Sequence, residues 1–238
     1  LERSVQIPRE IVPRDLRCPA VGSTELLEKA LEAARGDVCR LAVTVDRSAK
    51  KALFFQPMEP EQGKTPRRTS WEKVFQSRTF ALFRETFEKE GSQVTVDLVR
   101  HRGAAGVLPL SGEEVVLERQ FRYSLGKWVL EVPAGTLEEG EDEETCARRE
   151  LTEETGYVAS RLVRMGRIAP TPGYDDEMIG LYAAWVSGPP GTQSLDQDEQ
   201  IEVLRLGKQE ALEMIRRGEI FDGKTVVAIL LARELGYL

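Results

Sequence analysis

The stretch from Gly135 to Tyr157 constrains this chain more than any other, because a glycine-bounded loop there runs straight into an acidic helix. Asp142 stands as an N-cap, acidic residues crowd the first turn where the helix dipole favours them, and Gly156 falls where a left-handed C-cap is wanted. The spacing predicts a helix over 143–155. On a 3.6-residue period Glu150, Glu153 and Glu154 share one face, while Ala147 and Leu151 mark a flank that packs inward. Three anions side by side repel one another. Most such runs are solvated charge stripes, but a stripe does not account for the glycine loop before the helix, Arg149 beside the cluster, or Gly156 closing it. Hard divalent cations of the Mg²⁺ type prefer carboxylate oxygens and complete their shell with phosphate oxygens from a substrate. An acidic face beside an open loop meets that need.

Composition narrows the class. A chain of 238 residues with 41% hydrophobic content can bury a proper core. No apolar run approaches a membrane span and the charged, proline-containing start is unlike a secretory signal, so the cytoplasm is the expected setting. Cys18, Cys39 and Cys146 are odd in number and lack CxxC spacing, which argues against a disulfide framework or a zinc site. The net charge of −7 argues against general attraction to nucleic acid or anionic membrane, while leaving room for a phosphate-bearing small molecule offset locally by arginines and a metal. The single histidine, His101, has no ligating partner in sequence and is read as structural.

The chain divides into three parts. Residues 1–57 read as a small N-terminal α+β extension of unknown role: a proline-rich arm, an amphipathic helix over Glu25 to Arg35 and a hairpin. Residues 58–74 read as a linker rich in Pro, Glu, Gln, Lys and Arg. From 75 to 238, strand-like segments follow one another on both sides of the acidic helix, and two helical patterns, Lys208 to Arg217 and Lys224 to Glu234, close the chain. This order predicts an α/β class, a mixed β-sheet in an α/β/α sandwich. Phe80 and Phe83, on an early strand, are expected to pack in the core.

The central stretch also resembles the Nudix box. Gly135, Glu141, Arg149, Glu150, Leu151, Glu153, Glu154 and Gly156 stand at its required places, and only Tyr157 departs, an aromatic residue at a packing position. Three further segments resemble the ADP-ribose pyrophosphatase branch: Arg119-Gln120-Phe121-Arg122 followed by Leu130-Glu131-Val132-Pro133-Ala134-Gly135; Pro170 to Glu177; and Asp198 to Val203 with Gly218 to Thr225. The resemblance implies the Nudix fold over roughly 75–238. It implies hydrolysis of a nucleoside diphosphate derivative, with ADP-ribose giving AMP and ribose 5-phosphate as the leading reaction. The alternatives are another nucleotide-sugar or dinucleotide pyrophosphatase, or a non-catalytic nucleotide-binding module. It implies Mg²⁺, with Mn²⁺ as the alternative, held by Glu150, Glu153, Glu154, Glu199 and the main-chain carbonyl of Ala134. Arg122, Glu131, Pro172 and Gly173 are implied substrate contacts. Glu153, Glu154, Glu199 and Asp198 are the candidates for catalysis, because Gln197 occupies a place where some members carry a base glutamate and an amide cannot take the proton. A homodimer built through the early strands is also implied.

Overall fold

A fork between two strands organises the domain. The structure, a computed structural model, describes residues 65–197 and 199–238, so the readings of residues 1–57 and of Asp198 lie outside the described residues. Strands β4 (Ala104–Ser111) and β5 (Glu114–Arg122) form a hairpin that is paired only near its turn, Leu110 opposite Val115 and Ser111 opposite Glu114. Beyond that they diverge. β6 (Lys127–Glu131) pairs with β5 on one side of the gap, and β7 (Ala134–Thr136) pairs with β4 on the other. The Val107 N–H points into the fork and donates to the Pro133 carbonyl at 2.9 Å. Pro109, two residues on, faces the same way where no ladder partner is offered, which is why a central strand tolerates it.

The remaining strands complete a mixed seven-stranded sheet. β9 (Ile179–Trp185) runs parallel to β4, β8 (Arg161–Ile168) antiparallel to β9, and β10 (Ile201–Gly207) antiparallel to β5. Alternate residues of β4 feed opposite cores, as the period of two requires. Ala105 and Val107 meet Cys146, Ala147 and Leu151 of helix α1 (Glu143–Thr155) on one face. Leu108 and Leu110 meet Leu212 of α2 (Lys208–Arg216) and Ala228 and Ile229 of α3 (Gly223–Glu234) on the other. Tyr157, at the departing position of the box, is buried in the α1-side core. The α/β/α sandwich expected from the order of elements is the one observed. Among the described residues no helix is long and apolar enough to cross a membrane.

Two readings of the early segments need correction. From Arg67 the expected linker is strand: β1 (Arg67–Gln76) pairs with β2 (Phe80–Lys89), which pairs with β3 (Ser92–His101), and the three form a separate antiparallel sheet. Every residue of β1 is exposed, so it carries none of the apolar burial pattern by which a strand is read. Phe80 is likewise exposed at 37% rather than packed in a core. At the junction Gly103 adopts φ +93°, a left-handed conformation that lets the chain turn out of β3 into β4. The sheet is tied to the sandwich by the loop after β8, where Val99 donates to the Tyr174 carbonyl and accepts from the Asp176 N–H.

Candidate active site

Helix α1 is held at both ends by the residues its sequence singles out. Asp142 Oδ1 accepts the Thr145 N–H at 2.9 Å, satisfying one of the four unpaired donors of the first turn. Gly156 ends the helix at φ 71° with its N–H on the Thr152 carbonyl. A Cβ there would lie 2.3 Å from the Gly191 carbonyl oxygen, so this glycine also admits the loop between β9 and β10. That loop docks on the last carbonyls of the helix: Gly191 N–H on Gly156 at 2.7 Å, Ser194 N–H on Glu153 at 2.8 Å and Gln193 Nε2 on Glu154 at 2.5 Å. Docking carries Glu199 to the box, where a short turn holds it, its Oε2 accepting the Asp196 N–H at 2.8 Å.

The box carboxylates divide into two roles. Arg149 grips Glu141 through Nε and Nη2 at 2.9 and 2.8 Å, and Glu141 in turn accepts the Glu138 N–H, so this pair closes the loop onto the helix. The Arg149 Nη1 reaches Glu150 at 2.6 Å and Glu153 at 3.1 Å. Glu150 and Glu154 are buried, whereas Glu153 stands on the flank with its side chain 43% exposed. Burial pushes Glu150 up to about 7 despite Arg149, with Glu153 and Glu199 adding repulsion. Burial also raises Glu154 well above the usual carboxylate range, with Glu118, Glu150 and Glu199 adding to it, although its Oε2 accepts the Ala134 N–H at 2.8 Å. Gly135 is dictated by this packing, since a Cβ there would sit 1.9 Å from Glu150 Oε1. The three box glutamates therefore do not stand together as a ready cage: among the described residues no three such side chains already converge as a metal site. Glu150 is turned onto Arg149 and Glu154 onto the loop.

Across the fork lies a second buried charge group. Arg122 grips Glu131 through Nε and Nη2, both at 2.6 Å, and Lys224 at the start of α3 pairs with the same carboxylate. Burial pushes Glu131 up, but Arg122 and Lys224 more than offset it and hold the carboxyl below its ordinary value. Glu131, expected as a substrate contact, is 1% exposed and serves here as the counter-ion that fixes Arg122. Beneath it Thr225 donates its hydroxyl to Asp222 at 2.6 Å and accepts the Val132 N–H at 2.8 Å, anchoring α3 to the fork.

Two cavities open on either side of β7. The more polar, about 600 Å³, is lined by Glu150, Glu153, Glu199 and Asp196 and by Arg78, Arg102, Arg122 and Arg149. The other, about 700 Å³, is lined by Ile168, Pro170, Thr171, Glu177, Lys224 and Val227 among others. Arg122 and Ala134 to Thr136 border both. Pro172 and Gly173 line neither cavity; they form an exposed turn, and their neighbours Thr171 and Glu177 face the second cavity in their place. His101 is structural, its Nδ1 accepting the Gly103 N–H at 3.1 Å. Sequence reading missed Glu118 on β5 and gave Gln120 no role of its own; both are buried under the box. A glutamate inside an otherwise apolar strand, Val115-Val116-Leu117-Glu118, was the available signal.

A glycine loop and acidic helix of this geometry, on a forked mixed sheet between helices, define a Nudix enzyme, and the family model described as the NUDIX domain matches residues 100–227. The chain belongs to the Nudix hydrolase family. It is 38% identical over 161 residues to a methanol dehydrogenase activator from Bacillus methanolicus, and 35% identical over 161 residues to an ADP-ribose pyrophosphatase from Bacillus subtilis (strain 168). Each alignment covers 66% of this chain and 87% of the relative. A GDP-mannose pyrophosphatase from Escherichia coli O1:K1 / APEC is 33% identical over 180 residues, covering 66% of this chain and 90% of the relative. Among solved structures, one described as an ADP compounds hydrolase superposes with a TM-score of 0.64 at 21% identity, covering 74% of this chain and 96% of the other, a likeness of fold.

Proposed function

We propose that this hydrolase splits ADP-ribose into AMP and ribose 5-phosphate with the aid of Mg²⁺, or Mn²⁺ in its place. The observation that carries this reading is the polar cavity, in which carboxylates of α1 and the Glu199 loop face arginines across a space open to solvent. A diphosphate carrying a divalent cation presents both charges at once, and this wall of each sign suits it. The donor set fits a hard cation: Glu150, Glu154 and Glu199 offer only oxygen, and the Ala134 carbonyl adds a neutral one. The cation, when bound, neutralises charge that develops on the phosphoryl oxygens.

The remaining work falls to the chain. Arg122, held rigid by Glu131, places the diphosphate between the two cavities, so that one end of the substrate occupies the less polar space beside Ile168 and Val227. Arg149 holds Glu150 and Glu153 in register and is too occupied by carboxylates to serve the substrate. Glu153, half-exposed at the cavity wall, takes the proton from the attacking water. The water oxygen joins one phosphorus, the bridging P–O bond breaks, and two phosphomonoesters leave. The name of the Bacillus subtilis relative supports ADP-ribose, and that of the Escherichia coli relative keeps GDP-mannose as the second reading. A panel of nucleoside diphosphate derivatives, with products separated by ion exchange, tests the choice. AMP and ribose 5-phosphate released in equal amounts from ADP-ribose, faster than product from GDP-mannose, is the expected result. No phosphomonoester from ADP-ribose overturns it.

A further inference from the structure

Among the described residues, two buried side-chain oxygens lack any hydrogen-bond partner, Glu118 Oε2 and Gln120 Oε1. They belong to residues two apart on β5, so both side chains leave the same face of that strand. Glu118 is 1% exposed and Gln120 6%, far too enclosed for bulk water to satisfy them. An orphaned acceptor inside a protein is costly, and two together on one strand face call for a common cause. Protein donors do not supply it. Arg122 and Lys224, the nearby cations, are committed to Glu131, which pairs across the β5–β6 ladder with Glu118 itself. On the opposite side Glu118 shares a hydrogen bond with the Glu154 carboxyl, and burial raises both, but that contact leaves Glu118 Oε2 without a partner. Gln120 lines the polar cavity with Glu150 and Glu199.

Both orphans are oxygens: Glu118 stands against Glu154, and Gln120 lines the cavity that Glu150 and Glu199 also line. What these two unmatched oxygens lack is a positive charge or the polarised waters around one. We propose that Glu118, with Gln120 beside it, is a further cation-holding residue, which extends the divalent site inward from Glu154 to the floor of the fork. The inference rests on the box carboxylates being the cation site. Glu118 then shares the holding of the ion with Glu150, Glu154 and Glu199. A buried carboxylate otherwise without function would be replaced to advantage by the valine or leucine that its neighbours in β5 already use.

Mn²⁺ binding to the full-length protein without substrate, followed by the paramagnetic resonance of free Mn²⁺, tests this in wild type, Glu118→Val, Glu118→Gln and Glu154→Gln. Thermal melting in the absence of any divalent ion is read alongside. The expected result is weaker Mn²⁺ binding by about tenfold or more, or one fewer ion bound, in both Glu118 variants. Glu118→Val should also melt higher than wild type when metal-free, because an unpaired buried carboxylate is gone. Unchanged Mn²⁺ binding in both Glu118 variants, with Glu154→Gln impaired, overturns the assignment of Glu118 and leaves the box site standing. Unchanged binding in Glu154→Gln as well overturns the reading of the box on which it rests. Should Glu118→Val fail to fold, Glu118→Gln, which keeps size and polarity, decides alone.

Discussion

Single residues in this site owe their identity to what they touch. Glu153→Gln keeps the shape of the side chain and removes its ability to take a proton, so kcat for ADP-ribose should fall by about 10²- to 10⁴-fold with KM little changed. An unaltered kcat would remove Glu153 from the proton transfer. Thr225 makes a second case, since its hydroxyl is the partner of the buried Val132 N–H. Thr225→Val strands that donor and should cost about 1–3 kcal/mol of stability in urea titrations, without a direct effect on chemistry. A change below about 0.5 kcal/mol would mean that the fork relaxes around the loss. Such partnerships separate what the sequence could show from what it could not. Gly135, Glu141 and Arg149 were legible because their spacing is fixed by one loop and one helix. The ion pairs of Glu131 were not legible, because its partners Arg122 and Lys224 come from positions far apart in the chain that only the fold brings together. Pro172 and Gly173, expected as substrate contacts, stand on an exposed turn, while Thr171 before it and Glu177 after it line the second cavity.

At the scale of elements, local rules succeeded where local forces decide. The bounds of α1, Glu143 to Thr155, coincide with the expected ones because a side-chain cap and a left-handed glycine mark them. β4 and β9 were legible from continuous apolar runs, as strands buried on both faces should be. β1 was not, because an exposed edge strand is specified by pairing with β2 rather than by burial. The fork was also invisible: nothing local in Ala104–Ser111 says that its hairpin partner parts from it after two pairs. The same view gives a prediction for the helix end. Gly156→Ala forces a side chain into a left-handed conformation and into the Gly191 carbonyl. It should destabilise by more than about 1 kcal/mol and loosen the loop that carries Glu199, so that Mg²⁺ dependence shifts to higher concentration. Full stability with unchanged Mg²⁺ dependence would show that the loop is positioned by other contacts.

The whole molecule couples charge to stability. Glu150 is raised by burial from 4.5 to about 7, and Glu154 is raised in the same direction. In the window between those values the folded state holds a proton that the unfolded state has released, so stability falls as pH rises. The Glu150 contribution is on the order of 3 kcal/mol. The metal-free protein should therefore melt lower at about pH 8 than at about pH 5.5, and added Mg²⁺ should restore more at the higher pH. A melting temperature that is flat or rising across that window would show that the carboxylates are not burdened in this way. The three-stranded sheet bears on assembly. Trp71, Val74, Phe75, Phe80 and Val94 are exposed on it, with Trp71 tilted against Phe83 and Phe75 near Phe80. Exposed aromatics along β1, an edge strand among the described residues, suit a second copy of this chain, and sedimentation is expected to give a dimer. A monomer with full activity would leave the surface to another use.

In the proposed reaction, carboxylates of one helix and one loop hold a divalent ion against a diphosphate. A crystal grown with Mn²⁺ and a non-hydrolysable ADP-ribose analogue measures this through anomalous scattering. Mn²⁺ is expected at roughly 2.1–2.3 Å from carboxylate oxygens of Glu150 and Glu154, with the analogue's diphosphate completing its shell. Anomalous peaks elsewhere, with the analogue bound and these side chains still turned onto Arg149 and Ala134, would contradict it.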